Sequence, residues 1–454
     1  MQAREPDGLP SPQRQWAMLA IGLAIAMAVL DGAIANVALP TIARDLRATP
    51  ADSVWVVNAY QLVITILLLP LASLGEITGY RRIYRIGLAV FTLASLGCAL
   101  SASLGLLTLA RVVQGVGAAG VMSVNAALVR YIYPRRMLGR GIGIVALVVA
   151  VSAAVGPTVA AAILSVASWP WLFAVNVPTG VATMLAARAL PRTPRSGGRF
   201  DYLSALLNAL FFGLLILAVD GLGHGGRAPY VALAFGGAAV AGVALVARQL
   251  PQPAPLLPVD LLRIRVFALS IATSVCSFAA QMLAYVAIPF YFQDALGRGA
   301  VATGLLMTPW PVASAFTAPL AGRLADRYSA GVLGALGLGL FAAGLALLAL
   351  LPAAPSDADI VWRMALCGMG FGLFQSPNNR AILSSAPRER SGGASGMLGT
   401  ARLLGQTSGA ALVALMFGLF HAHATIVALG AASCISLVAA AVSGTRMLRT
   451  QTSA

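Results

Sequence analysis

Pro70-Leu71-Ala72-Ser73-Leu74-Gly75-Glu76 and Pro319-Leu320-Ala321-Gly322-Arg323-Leu324-Ala325-Asp326 are two versions of one stretch, 250 residues apart when Glu76 is set on Asp326. The repeat extends outward from them. Val37-Ala38-Leu39-Pro40 pairs with Val286-Ala287-Ile288-Pro289, and Ser123-Val124-Asn125 with Ser376-Pro377-Asn378. Gly143, Ser152 and Gly156 pair with Gly396, Gly405 and Gly409, so the offset stays between 249 and 253. A chain of 454 residues therefore holds two similar halves with an unmatched segment between them.

Of these residues 59% are hydrophobic and 10% charged, against about 25% charged in an ordinary soluble domain. The apolar residues come in blocks of about 20, the length of a helix crossing a hydrocarbon layer about 30 Å thick. Fourteen spans are predicted: 15–39, 53–75, 83–103, 105–128, 139–164, 169–187, 202–221, 229–248, 266–292, 301–322, 331–351, 360–379, 392–419 and 423–446. Spans 1–6 repeat as spans 9–14. Spans 7 and 8 are an extra pair between an Arg/Pro/Gly stretch at 191–199 and a Pro-rich stretch at 249–258. The predicted organisation is a six-helix half over 1–190, linkers and inserted helices over 191–258, and a second half over 259–454. The predicted fold class is an all-α polytopic membrane protein. Two similar six-helix halves are the mark of a transporter that rocks about a site near the bilayer midplane.

The net charge is +16, and all 30 basic residues are arginine. Without lysine there is no phosphate-binding P-loop and no Schiff-base chemistry. With the N-terminus inside, only Arg44, Arg47, Arg227, Arg298 and Arg363 fall on the outer side, Arg111 and Arg402 lie within spans, and the other 23 are inside. That split predicts a cell (inner) membrane protein with both termini cytoplasmic, and it accounts for the positive charge without nucleic acid. Residues 1–14 read as a short polar tail, not a signal peptide. Cys98, Cys276, Cys367 and Cys434 lie in apolar blocks with no C-x-x-C spacing, and His224, His421 and His423 sit near span ends, so no metal set is expected.

The motifs resemble those of a known family. Leu30-Asp31-Gly32-Ala33-Ile34-Ala35-Asn36-Val37-Ala38-Leu39-Pro40 resembles the first-helix signature of the fourteen-helix drug:proton antiporters of the major facilitator superfamily. Arg111-Val112-Val113-Gln114-Gly115-Val116-Gly117 is similar to that family's R-x-x-Q-G-x-G. Gly143, Ser152, Gly156 and Pro157 resemble its antiporter motif in helix 5, with Ala160-Ala161 where the family has Gly-Gly. Trp169-Pro170-Trp171-Leu172-Phe173 through Asn176-Val177-Pro178 resembles W-R-W-x-F…N-x-P, with Pro170 in place of the arginine. The loop Gly75, Glu76, Gly79, Arg81, Arg82 departs from G-x-L-x-D-R-x-G-R-R, having Ala72 for the leading glycine and Ile77 for an arginine. Its second copy, with Gly322, Asp326 and Arg327, is nearer the pattern. The resemblance implies proton-coupled export of small amphiphilic or cationic compounds by alternating access. It implies no cofactor and no enzymatic step, with substrate, protons and the lipid bilayer as partners and the monomer as the working unit. The alternative is a dedicated proton-coupled exporter of one siderophore, peptide or antibiotic.

Asp31 and Arg111 are the proton-coupling candidates. A carboxylate at that depth costs several kcal/mol unless paired, hydrated or protonated. At about 1.5 Å per residue the two side chains sit at similar depths, so an ion pair is possible. Asp31 is then either a proton carrier with Arg111 as its counter-ion or half of a fixed structural pair. Substrate-cavity candidates are Asn36, Asn58, Gln61, Gln114, Asn125, Gln281, Tyr285, Trp310, Arg402 and Gln406, with Tyr60, Phe290 and Tyr291 as further aromatics suited to cation–π contact. Arg402 either faces that cavity or packs its own half together. Glu76 and Asp326, beside arginines at helix ends, are expected to form charge clusters that hold one access state.

Overall fold

The computed structural model describes residues 8–195, 200–223, 226–252, 258–387, 390–420 and 423–446. His224, Gly225, His421 and Arg4, Arg199, Arg388 and Arg449 lie outside the described residues. The first half holds α1 (Ser11–Asp45), α2 (Pro50–Thr78), α3 (Tyr80–Ala99), α4 (Leu104–Ile132), α5 (Leu138–Val166) and α6 (Pro170–Ala189). The inserted pair is α7 (Tyr202–Gly223) and α8 (Ala228–Gln249). The second half holds α9 (Arg265–Ala295), α10 (300–324), α11 (Ala330–Ala349), α12 (Asp357–Ser385), α13 (Ser391–Phe420) and α14 (Ala424–Thr445).

Among the described residues 12 helices are long and apolar enough to cross a membrane. The other two predicted spans are α10 and α12. Helix α10 breaks at Thr308 into Ala300–Met307 and Pro309–Leu324, because Pro309 and Pro311 bring no amide donor to the ladder. The Leu305 carbonyl is met instead by the Thr308 amide at 3.2 Å. Helix α12 is long enough but polar, carrying Asp357, Asp359, Arg363, Gln375, Asn378, Asn379 and Arg380.

The sequence repeat is a repeat of packing. A Cβ on Gly117 of α4 would lie 2.3 Å from the Phe91 amide of α3, and one on Gly370 of α12 would lie 2.4 Å from the Phe341 amide of α11. Small residues let these backbones approach where hydrocarbon gives helices no hydrophobic reason to associate. A serine ladder does the same for α14 on α11: Ser433, Ser436 and Ser443 donate to the carbonyls of Ala342, Leu338 and Gly331.

The halves are not packed evenly along their length. Near the ends bearing the chain termini each has its own core: Ala17–Ile25 with Tyr84, Leu128 and Ile132 in one, Phe267, Ile271, Ile382 and Met397 in the other. Toward the opposite end one core runs through both, joining Ile34, Leu39, Val57 and Phe173 to Leu283, Ile288, Phe292 and Phe417. The Gln293 side chain donates to the Val37 carbonyl at 3.0 Å and accepts from Arg44 at 2.9 Å and Thr41 at 3.3 Å. Thr158 of α5 and Thr308 of α10 lie 2.8 Å apart, and Thr65 of α2 and Thr407 of α13 lie 2.9 Å apart. The structure is thus sealed at the end opposite the termini.

The inserted pair lies against α2 and α13. Pro70 has no amide hydrogen for the Ile66 carbonyl, and Asn208 of α7 supplies one at 2.8 Å. Trp55 Nε1 donates to Asp220 at 2.9 Å. Asp201 then ties the start of α7 to the end of α8, accepting from Ser204 at 2.6 Å, Arg248 at 3.0 Å and Gln252 at 3.1 Å.

Candidate transport site

Asp31 is 2% exposed and Arg111 is fully buried. The two form an ion pair, Arg111 Nη1 to Asp31 Oδ2. Arg111 Nη1 also reaches Gln114 Oε1 at 2.6 Å, and its Nε donates to the Val56 carbonyl at 2.8 Å. Gln114 lies one turn along α4, on the same face, and its amide donates to Asp31 Oδ1 at 2.8 Å and to Ser95 Oγ at 2.9 Å. Asn176 gives Asp31 Oδ1 a further donor at 2.9 Å. Helix α6 breaks at Val175, and Asn176 opens its second segment. The Tyr60 ring lies 4.1 Å and the Phe173 ring 5.5 Å from Arg111 Cζ. Two aromatic faces and five helices thus enclose one carboxylate and one guanidinium.

The network lies within the first half, not between the halves. Gln114, expected to line a substrate cavity, is fully buried in it. Sequence reasoning gave no role to Ser95, Cys98 or Asn176. Cys98 Sγ lies 3.5 Å from Gln114 Oε1. Asn176 stood in a quoted motif two residues before Pro178, and that proline was the available signal. One donor group stays unmatched: Arg111 Nη2 is buried without a hydrogen-bond partner among the described residues.

The second half carries no such network. Gln281, half-buried, stands at the place of Asp31, Trp310 at that of Tyr60, Leu345 at that of Ser95 and Cys367 at that of Gln114. Trp310 is 1% exposed and packs edge-to-face on Tyr285 and Phe341, each 5.3 Å away. It is a core residue with its Nε1 unpartnered among the described residues, whereas Tyr285 is half-buried. Arg402 and Gln406 are half-buried on α13, and Arg402 lies 5.7 Å from the Phe278 ring. Asn36, Asn58 and Asn125 are buried with oxygens that meet no partner among the described residues, and Gln61 is half-buried.

The sequence profile of the Major Facilitator Superfamily matches residues 21–410. The chain belongs to the major facilitator superfamily. It is 62% identical to the uncharacterized transporter YebQ of Escherichia coli over 98% of each chain. It is 32% identical to the multidrug resistance protein Stp of Mycobacterium tuberculosis over 87% of this chain and 74% of that one. It is 30% identical to the riboflavin transporter RibZ of Clostridioides difficile over 89% of each. In fold it matches a bacterial homolog of the human lysosomal transporter Spinster, crystallised inward-facing and unoccupied, with a TM-score of 0.71 and 16% identity over 96% of this chain and 97% of that one.

The loop motifs of this facilitator differ between its halves. Gly79 has φ of +100°, a conformation costly for any residue with a Cβ, and it turns α2 into α3. Glu76 is exposed and forms no ion pair with the described residues, so the expected cluster with Arg81 and Arg82 is not formed there. Arg81 donates instead to the Arg188 carbonyl at 3.0 Å. In the second copy Asp326 pairs with Arg380 of α12 at 2.5 Å, while Arg327 is exposed and Gly322 faces Ser376. In helix 5 of the facilitator, a Cβ on Gly156 would lie 2.6 Å from the Ala33 Cβ of α1, and the Pro157 carbonyl faces Gly304 of α10. Ser152 is buried on the same helix, and Gly143 faces open space. Helix α5 is therefore wedged between α1 and α10 at the sealed end.

Proposed function

We propose that this facilitator exports small amphiphilic compounds across the cell (inner) membrane in exchange for protons, as a monomer with both termini in the cytoplasm. The observation that carries the reading is the Asp31 network, in which one deeply buried carboxylate is paired with a single arginine and two amide donors, Gln114 and Asn176. Asp31 takes up the proton. Neutralising it removes the ion pair with Arg111 and loosens α1 from α4 and α6, the helices that carry the donors. Because α1 also carries the sealed-end contacts with α9, protonation on one side of the membrane is coupled to the seal. Each entering proton supplies about 2.3 kcal/mol per 100 mV of potential and about 1.4 kcal/mol per pH unit. The half-buried Arg402, Gln406, Tyr285 and Gln281, with Asn36, Asn58, Gln61 and Asn125, offer a substrate polar and aromatic contacts between the halves.

The test is efflux from proteoliposomes with an imposed pH gradient, comparing the native chain with Asp31→Asn. Gradient-driven transport by the variant overturns the assignment of Asp31. A second reading is export of one metabolite, favoured by an identity to the riboflavin transporter near that to the multidrug resistance protein. Resistance profiles of an efflux-deficient host separate the two. Protection against many unlike compounds supports the first, and protection against one supports the second.

A further inference from the structure

Five arginines converge on a groove at the termini-bearing end of the first half. Arg81, Arg82 and Arg85 project from the first turns of α3, and Arg192 and Arg195 from the segment after α6. The groove encloses about 750 Å³, and no carboxylate is among its described lining residues. Its charge is unbalanced in two further ways. No acidic residue stands in the first turn of α3, although a helix N-terminus carries positive partial charge of its own and repels nearby cations. Arg81 Nε is buried without a partner among the described residues. Like charges gathered in this way oppose folding unless an anion joins them.

The groove has an apolar side as well. Ile86, Ala89 and Met184 line it. Ile86 and Ala89 lie further along α3, about 9 and 13.5 Å past Tyr80 at 1.5 Å per residue, toward the middle of the span. A guanidinium cluster at the membrane–water boundary that continues into an apolar wall matches a phosphodiester with an acyl chain below it. A free phosphate would use only the upper part. Arginine suits the upper part because its planar fork binds phosphate oxygens in pairs, and basic pockets at this depth are where anionic headgroups dock.

We propose that the Arg81–Arg82–Arg85–Arg192–Arg195 groove is a binding site for the phosphodiester headgroup of an anionic phospholipid, with one acyl chain along Ile86, Ala89 and Met184. The lipid clamps the α2–α3 turn to the segment following α6, where the Thr193 hydroxyl already accepts from the Tyr80 amide at 2.9 Å.

The experiment is native mass spectrometry of the full-length chain, purified in neutral detergent and titrated with phosphatidylglycerol or phosphatidylcholine. The native chain should retain one phosphatidylglycerol at least about tenfold better than phosphatidylcholine, a preference of about 1.4 kcal/mol. Equal retention of the two lipids overturns the proposal without any variant. The triple variant Arg85→Gln, Arg192→Gln, Arg195→Gln should lose that preference, and a control with Arg263→Gln and Arg265→Gln should keep it. A triple variant that keeps it places the lipid elsewhere. Inorganic phosphate should compete only weakly. If it displaces the lipid at equal concentration, the site is a plain anion site and the acyl-chain part of the proposal fails.

Discussion

Asp31 receives donors from α4 and α6, and each donor can be removed separately. Asp31→Asn keeps the size and removes the titratable proton. Substrate binding should survive, while transport driven only by a pH gradient falls at least about 100-fold, the effect of losing about 2.7 kcal/mol of coupling. Asp31→Glu should keep part of the activity. Removing Arg111 outright leaves a buried carboxylate unpaired, which costs about 3–5 kcal/mol, so Arg111→Lys is the more informative change. It keeps the charge but cannot serve Asp31, Gln114 and the Val56 carbonyl together. Its melting temperature should stay near the native value while transport drops, and an unchanged transport rate would show that charge alone is needed. The depth match of Asp31 and Arg111 could be read from residue counts. The rest of the network could not, because Asn176 reaches the acid only through the break in α6 and Ser95 joins only through Gln114 at the crossing of α3, and neither is encoded in the spacing of α1 or α4.

At the scale of elements, proline decides where helices need help from outside. The Ile66 carbonyl is met by Asn208 because Pro70 cannot meet it. Asn208→Ala should therefore cost about 1–3 kcal/mol, the penalty for an unmet buried polar group, measured as lowered thermal stability in detergent. An effect under a few tenths would mean that water or another side chain takes over. The same pair of inserted helices should respond to acid. Burial works against ionisation of Asp201, but the Ser204 and Arg248 hydrogen bonds outweigh it and hold its pKa well below the usual carboxylate range. A depressed folded pKa means that the stabilisation is complete above the unfolded value of about 3.9 and is lost as pH falls below it. Hydrogen exchange at the start of α7 should accelerate in that range, and Asp201→Asn should remove the pH dependence. Span number and order were readable from the apolar blocks, since membrane-length helices announce themselves. The break of α10 was not foreseen, although Pro309 and Pro311 were in view. A hydropathy window averages over the one residue, Thr308, at which the hydrogen-bond ladder is interrupted.

At the scale of the molecule, the pseudosymmetry holds in the backbone packing of α3 on α4 and of α11 on α12 and fails in chemistry. Gly117 against Phe91 and Gly370 against Phe341 repeat the same approach, whereas the acid network of one half becomes the Tyr285–Trp310–Phe341 stack in the other. Under the proposed proton-coupled mechanism, one half changes its charge state while the other stays rigid, with the shared core at the sealed end as the joint between them. Rocking would then separate that core and break the threonine contacts across it. Thr158 and Thr308, on α5 and α10, give a direct measure of this. Their hydroxyls are 2.8 Å apart, close enough that cysteines placed there can approach disulfide geometry. In a background with exposed Cys434 replaced, Thr158→Cys with Thr308→Cys should cross-link under mild oxidation and stop transport, and reduction should restore it. Adding saturating substrate together with an imposed pH gradient should slow the cross-linking, because turnover spends time in the state where this end is open. If the oxidised protein still transports at the native rate, the sealed end does not open at α5 and α10, and the rocking axis must lie elsewhere in the fold.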